Sequence, residues 1–351
     1  MKIREVFNSD KLLAIAPFVA KYTSKYGTIL YDLKSLIHSH ILKTKITKEP
    51  NMKDVIKNGL LIGTTTICNG NCTFCPYRYF EDKKESMDFN TFKKIIDDYY
   101  SCGGRKVELT PTQGEPLLDR GFFEKIKYLN KKGISCTFCT NGILLERNIE
   151  KLIKLKVKDI AIDIGDIIPE NDSKVFQIPI ELSKKKINSI LKLLERAKET
   201  GWDARISIFF RPLRSPSKVF KDLKKSKFWK YYKEGLLYFQ FLQVYDNWGG
   251  SITKKDLIGN QELKRPTGIR KFPCANFYKL AFLPNGDARV CGCRCDKTLK
   301  DDLVVGNINE ISLKDIIKSK RWKDIIKNSK GGELPSVCKK CSFFEPIFKN
   351  D

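Results

Sequence analysis

Short apolar and β-branched runs alternate with longer amphipathic stretches through the middle of this chain. Strand-like runs fall at Leu60–Thr66, Lys106–Thr110, Ser135–Cys139, Asp159–Ile164, Ala204–Phe210 and Tyr238–Val244. Helix-like stretches lie between them, at Phe89–Tyr100, Phe122–Lys132, Leu144–Leu155 and Ile187–Thr200. Strands separated by helices predict an α/β fold with a parallel sheet and right-handed crossovers. The alternation fades after about residue 245, so a closed eight-stranded barrel is not expected. Residues 1–58 mix apolar and basic positions, including Leu30-Tyr31-Asp32-Leu33-Lys34-Ser35-Leu36-Ile37, and predict a helical extension over the bottom or side of the β/α unit. Beyond residue 250 the chain turns to short loops and cysteines. The pattern divides the chain into 1–58, 59–250 and 251–351.

Composition narrows the class. The 351 residues are 41% hydrophobic, enough for a folded core. The apolar run Leu12–Ala20 is broken by Pro17, is too short to span a bilayer and lacks a signal-peptide cleavage pattern, so a cytoplasmic protein is expected. Twelve cysteines in motif spacings point to metal or redox use in a reducing compartment. The net charge of +25 would suit nucleic acid, an anionic membrane or a phosphorylated substrate. The lysines are spread over nearly every predicted helix, however, and no aromatic-interleaved basic module is present. The charge reads as solvated surface, and nucleic acid is not the expected partner.

The chemistry concentrates in Ile67-Cys68-Asn69-Gly70-Asn71-Cys72-Thr73-Phe74-Cys75-Pro76-Tyr77. Cys68, Cys72 and Cys75 stand at C-x₃-C-x₂-C, a spacing that brings three thiolates to one soft metal centre at the end of the first strand. Three ligands leave one iron of a cubane cluster open, which distinguishes a reactive site from a closed structural one. A zinc knuckle would need a fourth ligand nearby, and neither His38 nor His40 is close in sequence. With Phe74 before the third cysteine, the loop resembles the signature of radical S-adenosylmethionine (SAM) enzymes. That resemblance implies a six-stranded partial (βα)6 barrel. It also implies a [4Fe–4S] cluster held by Cys68, Cys72 and Cys75, and SAM bound on its open iron.

Later loops extend the resemblance. Thr110-Pro111-Thr112-Gln113-Gly114-Glu115-Pro116-Leu117-Leu118 is similar to the family's Gly-Gly-Glu-Pro motif, with Gln113 in place of the first glycine. Gly114 and Glu115 are thereby expected at the SAM amino group, and Asn141 of Thr140-Asn141-Gly142 near its ribose. Asp163 and Arg211, at the ends of the fourth and fifth predicted strands, point to the barrel mouth. Asp163 could accept from ribose or substrate hydroxyls and Arg211 could clamp an anionic group, or either could be a structural ion-pair partner. In Tyr245-Asp246-Asn247-Trp248, Trp248 offers a sugar ring an apolar face and Asp246 and Asn247 offer hydrogen bonds; a tight turn around a packed Trp is the alternative.

A second cysteine set follows. Cys274-x₁₁-Gly286-x₄-Cys291 and Cys338-Lys339-Lys340-Cys341 resemble the SPASM or shorter twitch extension of the same family. The full C-x₂-C-x₅-C-x₃-C run is missing, so one auxiliary [4Fe–4S] cluster on Cys274, Cys291, Cys338 and Cys341 is implied. A zinc ribbon is the alternative. Cys293 and Cys295 leave the choice of ligand open, and a leftover thiol could donate hydrogen to a substrate radical. Cys136 and Cys139 should point to opposite faces of their strand. After Val305-Gly306-Asn307-Ile308-Asn309-Glu310 a helix is predicted over Leu313–Lys327.

The resemblance covers about residues 60 to 345. It implies a dehydrogenase of the 2-deoxy-scyllo-inosamine type, acting on a secondary alcohol of a sugar or aminocyclitol-like small molecule that could be anionic. The auxiliary cluster would accept an electron, and flavodoxin or ferredoxin would supply reducing equivalents. A radical epimerase of the same substrates, a peptide- or protein-modifying SPASM maturase, and a non-catalytic zinc-binding interaction protein are the other readings.

Overall fold

In a computed structural model, residues 27–110, 113–292, 295 and 297–350 are described. Leu12–Ala20, Pro111, Thr112 and Cys293 lie outside them. Six parallel strands follow in chain order: β1 (Leu60–Ile62), β2 (Lys106–Glu108), β3 (Ser135–Thr140), β4 (Asp159–Ile164), β5 (Arg205–Phe210) and β6 (Leu237–Phe241). The predicted strands all form, with β1 and β2 shorter than the apolar runs suggest. Past Ile62 the backbone leaves the sheet to pair with residues 85–87, through Thr66 N to Glu85 O and Met87 N to Thr64 O, each 2.8 Å.

Period-two alternation sets the faces. In β4, Ile160, Ile162 and Ile164 are buried against the helices, while Asp159, Ala161 and Asp163 occupy the opposite, half-buried face. The covering helices include α1 (Met52–Asn58), α2 (Phe89–Ser101), α3 (Phe122–Lys131), α4 (Ile149–Lys154), α5 (Pro169–Phe176) and α6 (Ile180–Thr200). In α2, Phe92, Ile95, Ile96 and Tyr99 form one buried stripe and the Asp88 carboxylate caps the Thr91 amide. After β5 come α7 (Pro216–Leu223) and α8 (Lys227–Lys233).

Several expectations need correction. The helix predicted over Leu144–Leu155 starts only at Ile149, after a 3₁₀ turn at Glu146–Asn148 whose Asn148 amide donates to Leu144 O at 2.8 Å. The strand predicted over Tyr238–Val244 ends at Phe241. The next pair, β7 (Val244–Tyr245), instead joins β8 (Glu262–Leu263) in a separate ribbon. The helix predicted over Leu313–Lys327 is two, α9 (Leu313–Lys318) and α10 (Lys320–Lys330). It breaks at Ser319, whose hydroxyl caps Trp322 N and turns that indole inward to donate to Phe277 O at 2.7 Å.

The C-terminal segment continues the same sheet. Strand β9 (Leu280–Phe282) runs parallel to β1, and β10 (Asp287–Val290) and β11 (Val304–Asn307) follow antiparallel. The last helix, α11, is Ser336–Lys340. The described N-terminal residues lean mainly on this segment rather than on the barrel bottom. Asp32 accepts from Ile269 N at 2.9 Å, Lys48 O accepts from the Tyr278 hydroxyl at 3.1 Å, and His38 stacks on Phe348 at 4.6 Å; of α1 only Val55 is buried. No helix among the described residues is long and apolar enough to cross a membrane.

One buried ion pair fixes α5 against α6. Lys186 Nζ lies 2.9 Å from Asp172 Oδ1, with both side chains at 0% exposure. Asp172 also accepts from Gly165 N and from the Ser183 hydroxyl, each at 2.8 Å, and the ammonium sits 3.3 Å from the Phe176 ring centroid. Lys186→Met strands the Asp172 charge and should cost about 3–5 kcal/mol in chemical denaturation. Adding Asp172→Asn should recover part of that loss; a single variant as stable as the parent would mean the pair contributes nothing.

Candidate functional site

The cysteine loop is closed at its base by the Thr65–Ser86 bridge and braced from four sides. Asn71 N donates to Phe176 O (3.1 Å) and Thr73 N to Val175 O (2.9 Å), so the C-terminal end of α5 carries the loop backbone. The Thr73 hydroxyl reaches Gln261 Oε1 at 3.2 Å, and Trp248 Nε1 donates to Phe74 O at 3.0 Å. Tyr77 folds back on the first cysteine, its hydroxyl accepting from Cys68 N and donating to Cys68 O.

Cys68, Cys72 and Cys75 line one cavity of ≈ 330 Å³ together with Gly114, Glu115, Asn141, Asp163, Arg211 and Asp246. The thiols resist ionisation there: burial pushes Cys68 up to about 11, Cys75 up to about 12 and Cys72 well above its ordinary value. Lys186 and Arg211 offset only part of the cost of a thiolate trio in this place, and iron would supply the remaining positive charge. Gly70 N also points at Cys68 Sγ at 3.5 Å, a donor of the kind that stabilises cluster sulfur. These residues fit a three-thiolate cluster.

The loop after β2 fits closely beneath. Gly114 has φ of +117°, and a Cβ there would lie 2.3 Å from Thr65 O, so glycine alone allows the approach. Glu115 is engaged before any ligand arrives, accepting from the Thr140 hydroxyl (2.6 Å), Asn141 N (2.8 Å) and Leu117 N (3.1 Å). It thereby clamps the β2 loop to the β3 loop. Asn141 Nδ2 donates to Asn69 Oδ1 at 2.9 Å, tying the same corner to the cysteine loop. Gln113, standing in place of the first glycine of the Gly-Gly-Glu-Pro motif, is 2% exposed and donates to Cys295 Sγ at 2.8 Å.

At the barrel mouth the alternatives for Asp163 and Arg211 merge, because the two pair with each other: Arg211 Nε donates to Asp163 Oδ1 at 2.8 Å. Burial opposes the Arg211 charge, but Asp163 and then Tyr245 outweigh it and raise its pKa. The guanidinium carbon also lies 4.7 Å from the Phe74 ring centroid, and Phe74 stacks on Tyr245 at 5.3 Å. Cys139 lines the same cavity, its thiol donating to Asp163 Oδ2 at 3.3 Å, whereas Cys136 is buried in the core, on the opposite face as expected.

Of the 245–248 loop, Tyr245, Asp246 and Trp248 reach the cavity, with Asp246 Oδ1 also accepting from Trp248 N at 3.0 Å. Asn247 does not. It is buried and turned the other way, donating to Lys340 O (2.7 Å) and accepting from Ser342 N (2.9 Å), because the second cysteine set lies behind it.

That set gathers in one buried neighbourhood. Burial pushes Cys338 up, and the next largest contributions come from Cys291, Cys274 and Cys341. Cys274 rises to about 11 through burial and accepts from Glu345 N at 3.3 Å; Cys341 accepts from Phe343 N at 3.2 Å. Cys291 holds a left-handed φ of +56°. Its nitrogen donates to Lys279 O and its carbonyl accepts from Arg289 at 2.6 Å. Buried thiols with amide donors fit a four-thiolate cluster. Cys295 lies instead beside Gln113 and contributes to the electrostatics of Cys75. Among the described residues no three His, Cys, Asp or Glu side chains stand at the spacing of a single-ion site.

Motif reading passed over Tyr77, Asp172, Lys186, Gln261, Arg270 and Arg289. Pro169 followed by Glu170 is a helix-start signal that could have revealed α5. Gln261 and Arg270 meet Thr73 and the Cys338–Cys341 loop only across 188 and about 70 residues of chain, and no local pattern marks Tyr77, Lys186 or Arg289.

A model of the radical SAM superfamily matches residues 62–213, and a model of the SPASM iron–sulfur cluster-binding domain matches residues 274–342. Over 139 residues the chain is 28% identical to the tungsten-containing aldehyde ferredoxin oxidoreductase cofactor-modifying protein of Pyrococcus furiosus, covering 39% of each chain. It is 26% identical over 149 residues to a GTP 3′,8-cyclase of Mannheimia succiniciproducens, covering 41% of this chain and 42% of that one. The chain thus spans about two fifths of the length of these relatives. Its fold is similar to the crystal structure of BtrN in complex with AdoMet and 2-DOIA, with a TM-score of 0.50 and 14% identity over 80% of this chain and 91% of that one.

Burial raises the Glu115 pKa from 4.5 to about 7. The native state therefore binds this proton more tightly than the unfolded state, and stability should rise as pH falls from about 7 to 4.5. In the metal-free chain this contribution is on the order of 3 kcal/mol. Denaturation series at pH 7, 6 and 5 should show that slope in the parent and a flatter one in Glu115→Gln; equal slopes would refute the assignment.

Proposed function

The chain is a radical SAM enzyme with a C-terminal SPASM iron–sulfur domain, and on that premise we propose that it oxidises a secondary alcohol of a sugar or aminocyclitol. The observation that carries this reading is a single cavity shared by the three-cysteine loop and the Asp163–Arg211 pair, backed through Asn247 by a second, four-thiol set. When bound, the two [4Fe–4S] clusters and SAM supply a hydrogen-abstracting 5′-deoxyadenosyl radical and a one-electron sink. Cys68, Cys72 and Cys75 would hold the first cluster; Cys274, Cys291, Cys338 and Cys341 the second.

The chain's own side chains select and orient the substrate. Arg211 is compensated by Asp163, and the cavity also presents Glu108, Glu115 and Asp246. In a protein of net charge +25 this local excess of carboxylates favours hydroxyl and amino groups over a phosphate or free carboxylate. Asp163 is positioned to accept the hydrogen bond, and then the proton, of the alcohol being oxidised. Trp248 offers an apolar face to the ring, and Phe74 and Tyr245 help to exclude water.

Cys139 favours a second reading. A thiol in the cavity wall could return hydrogen to the substrate carbon, which would make the reaction an epimerisation rather than an oxidation.

Anaerobically reconstituted protein should hold about eight irons per chain. Given SAM, reductant and an aminocyclitol deuterated at the carbinol carbon, it should form deuterated 5′-deoxyadenosine together with a ketone. Asp163→Asn and Arg211→Met should each lower kcat/KM at least about tenfold, or more than about 1.4 kcal/mol of transition-state stabilisation. An inverted alcohol formed without ketone, and lost in Cys139→Ala, would select the epimerase. Deuterium that stays on the substrate would sink both readings.

A further inference from the structure

The backbone of the second cysteine set is held by two guanidinium groups. Each kind of donor nitrogen on Arg270 reaches a main-chain carbonyl: Nε to Thr267 O at 2.8 Å, Nη1 to Cys338 O, and Nη2 to Cys341 O at 3.0 Å. Arg289, at 0% exposure, reaches a third cysteine, with Nη1 donating to Cys291 O at 2.6 Å. Three of the four proposed ligand residues thus have a guanidinium on their carbonyl.

The two arginines differ in charge balance. Arg289 is bidentate to Asp301, with nitrogens at 3.0 and 2.6 Å from its two oxygens. The three hydrogen bonds of Arg270 go to neutral carbonyls. Burial lowers the Arg270 pKa from its usual value, and the groups that counter this only in part are, in order, Cys341, Cys338, Cys274 and Asp32. The only one of these that is a carboxylate, Asp32, accepts from Ile269 N at 2.9 Å.

We propose that Arg270 sets the reduction potential of the C-terminal centre: its guanidinium, anchored on the carbonyls of Cys338 and Cys341, stabilises the reduced form and poises the centre to accept an electron. The inference rests on the iron–sulfur reading above. Four thiolates around an iron–sulfur cubane carry net negative charge, and reduction adds one more. A fixed cation in a partly desolvated site favours the more negative state. The electron comes from the oxidised alcohol, whose hydrogen atom goes to the adenosyl radical and whose hydroxyl proton goes to Asp163. Arg270 touches no reacting atom and is a positioning residue for charge. Arg289, largely neutralised by Asp301, instead fixes the strained Cys291 backbone.

The test uses the full chain with Cys68, Cys72 and Cys75 replaced by Ala, so that only the C-terminal centre loads. Potentials are read by EPR-monitored redox titration, alongside iron and zinc content. Arg270→Gln should keep four irons and be roughly tenfold less reduced at a given ambient potential, about 59 mV more negative for a one-electron couple. Arg270→Lys keeps the charge without the planar fork and should stay within about threefold of the parent. An unchanged potential in Arg270→Gln overturns the proposal. So does an equal shift in both variants, or loss of iron from both, since these make Arg270 a clasp for the loop rather than a charge. Zinc in the parent centre would overturn the iron–sulfur reading itself, an outcome the metal analysis separates from the others.

Discussion

Gathering seven buried or half-buried thiols in two places creates an electrostatic demand that the protein alone does not meet. Each site raises the cost of the thiolate form, through burial first and through neighbouring cysteines next. The backbone offers partial compensation through amides aimed at sulfur, on Cys68, Cys274 and Cys341. Iron supplies the remainder, so cluster assembly and the final ordering of both loops should be coupled. Much of the surrounding architecture bears on that demand: the Asp172–Lys186 pair steadies α5, and α5 in turn supplies the carbonyls of Val175 and Phe176 to the first loop.

The two thiol sites are mechanically joined by one short segment. Trp248 donates to the backbone of Phe74, inside the first cysteine loop, while Asn247 beside it is bonded to Lys340 and Ser342, at the second. Between them Asp246 lines the shared cavity. The lining of the cavity and the spacing of the two cysteine sets are therefore set by the same residues, and a change in this segment would be felt at both. Strand β9 reinforces the arrangement by pairing with β1, so the C-terminal cysteines approach from the edge of the same sheet that ends in the first loop.

Charge within the barrel mouth runs opposite to charge on the molecule. A surface rich in lysine encloses a cavity with more carboxylates than cations, and its single guanidinium is already paired. The basic surface is thus no guide to the ligand. Glu115 illustrates the division of labour: three protein donors engage it, yet its pKa stays near neutrality because burial dominates. A cationic ligand group beside it would recover the charge that burial suppresses.

The sequence by itself determined the strand–helix alternation, both cysteine sets and the glycine of the β2 loop. These are properties of local periodicity and spacing: a β/α unit repeats its apolar pattern within a few residues, and C-x₃-C-x₂-C must fold into a tight loop. Boundaries were less legible where a single side chain decides them, as at Ser319, whose cap lets Trp322 turn into the core. Tertiary structure alone decided that Asp163 and Arg211 are partners, 48 residues apart, and that Asn247 faces the second cysteine set rather than the cavity. It also decided that Cys291 joins Cys338 while Cys295 lies beside Gln113, and that Arg270 spans the Cys338–Cys341 loop. Each of these depends on where separate strands bring their ends, which the whole sheet fixes and no local pattern encodes.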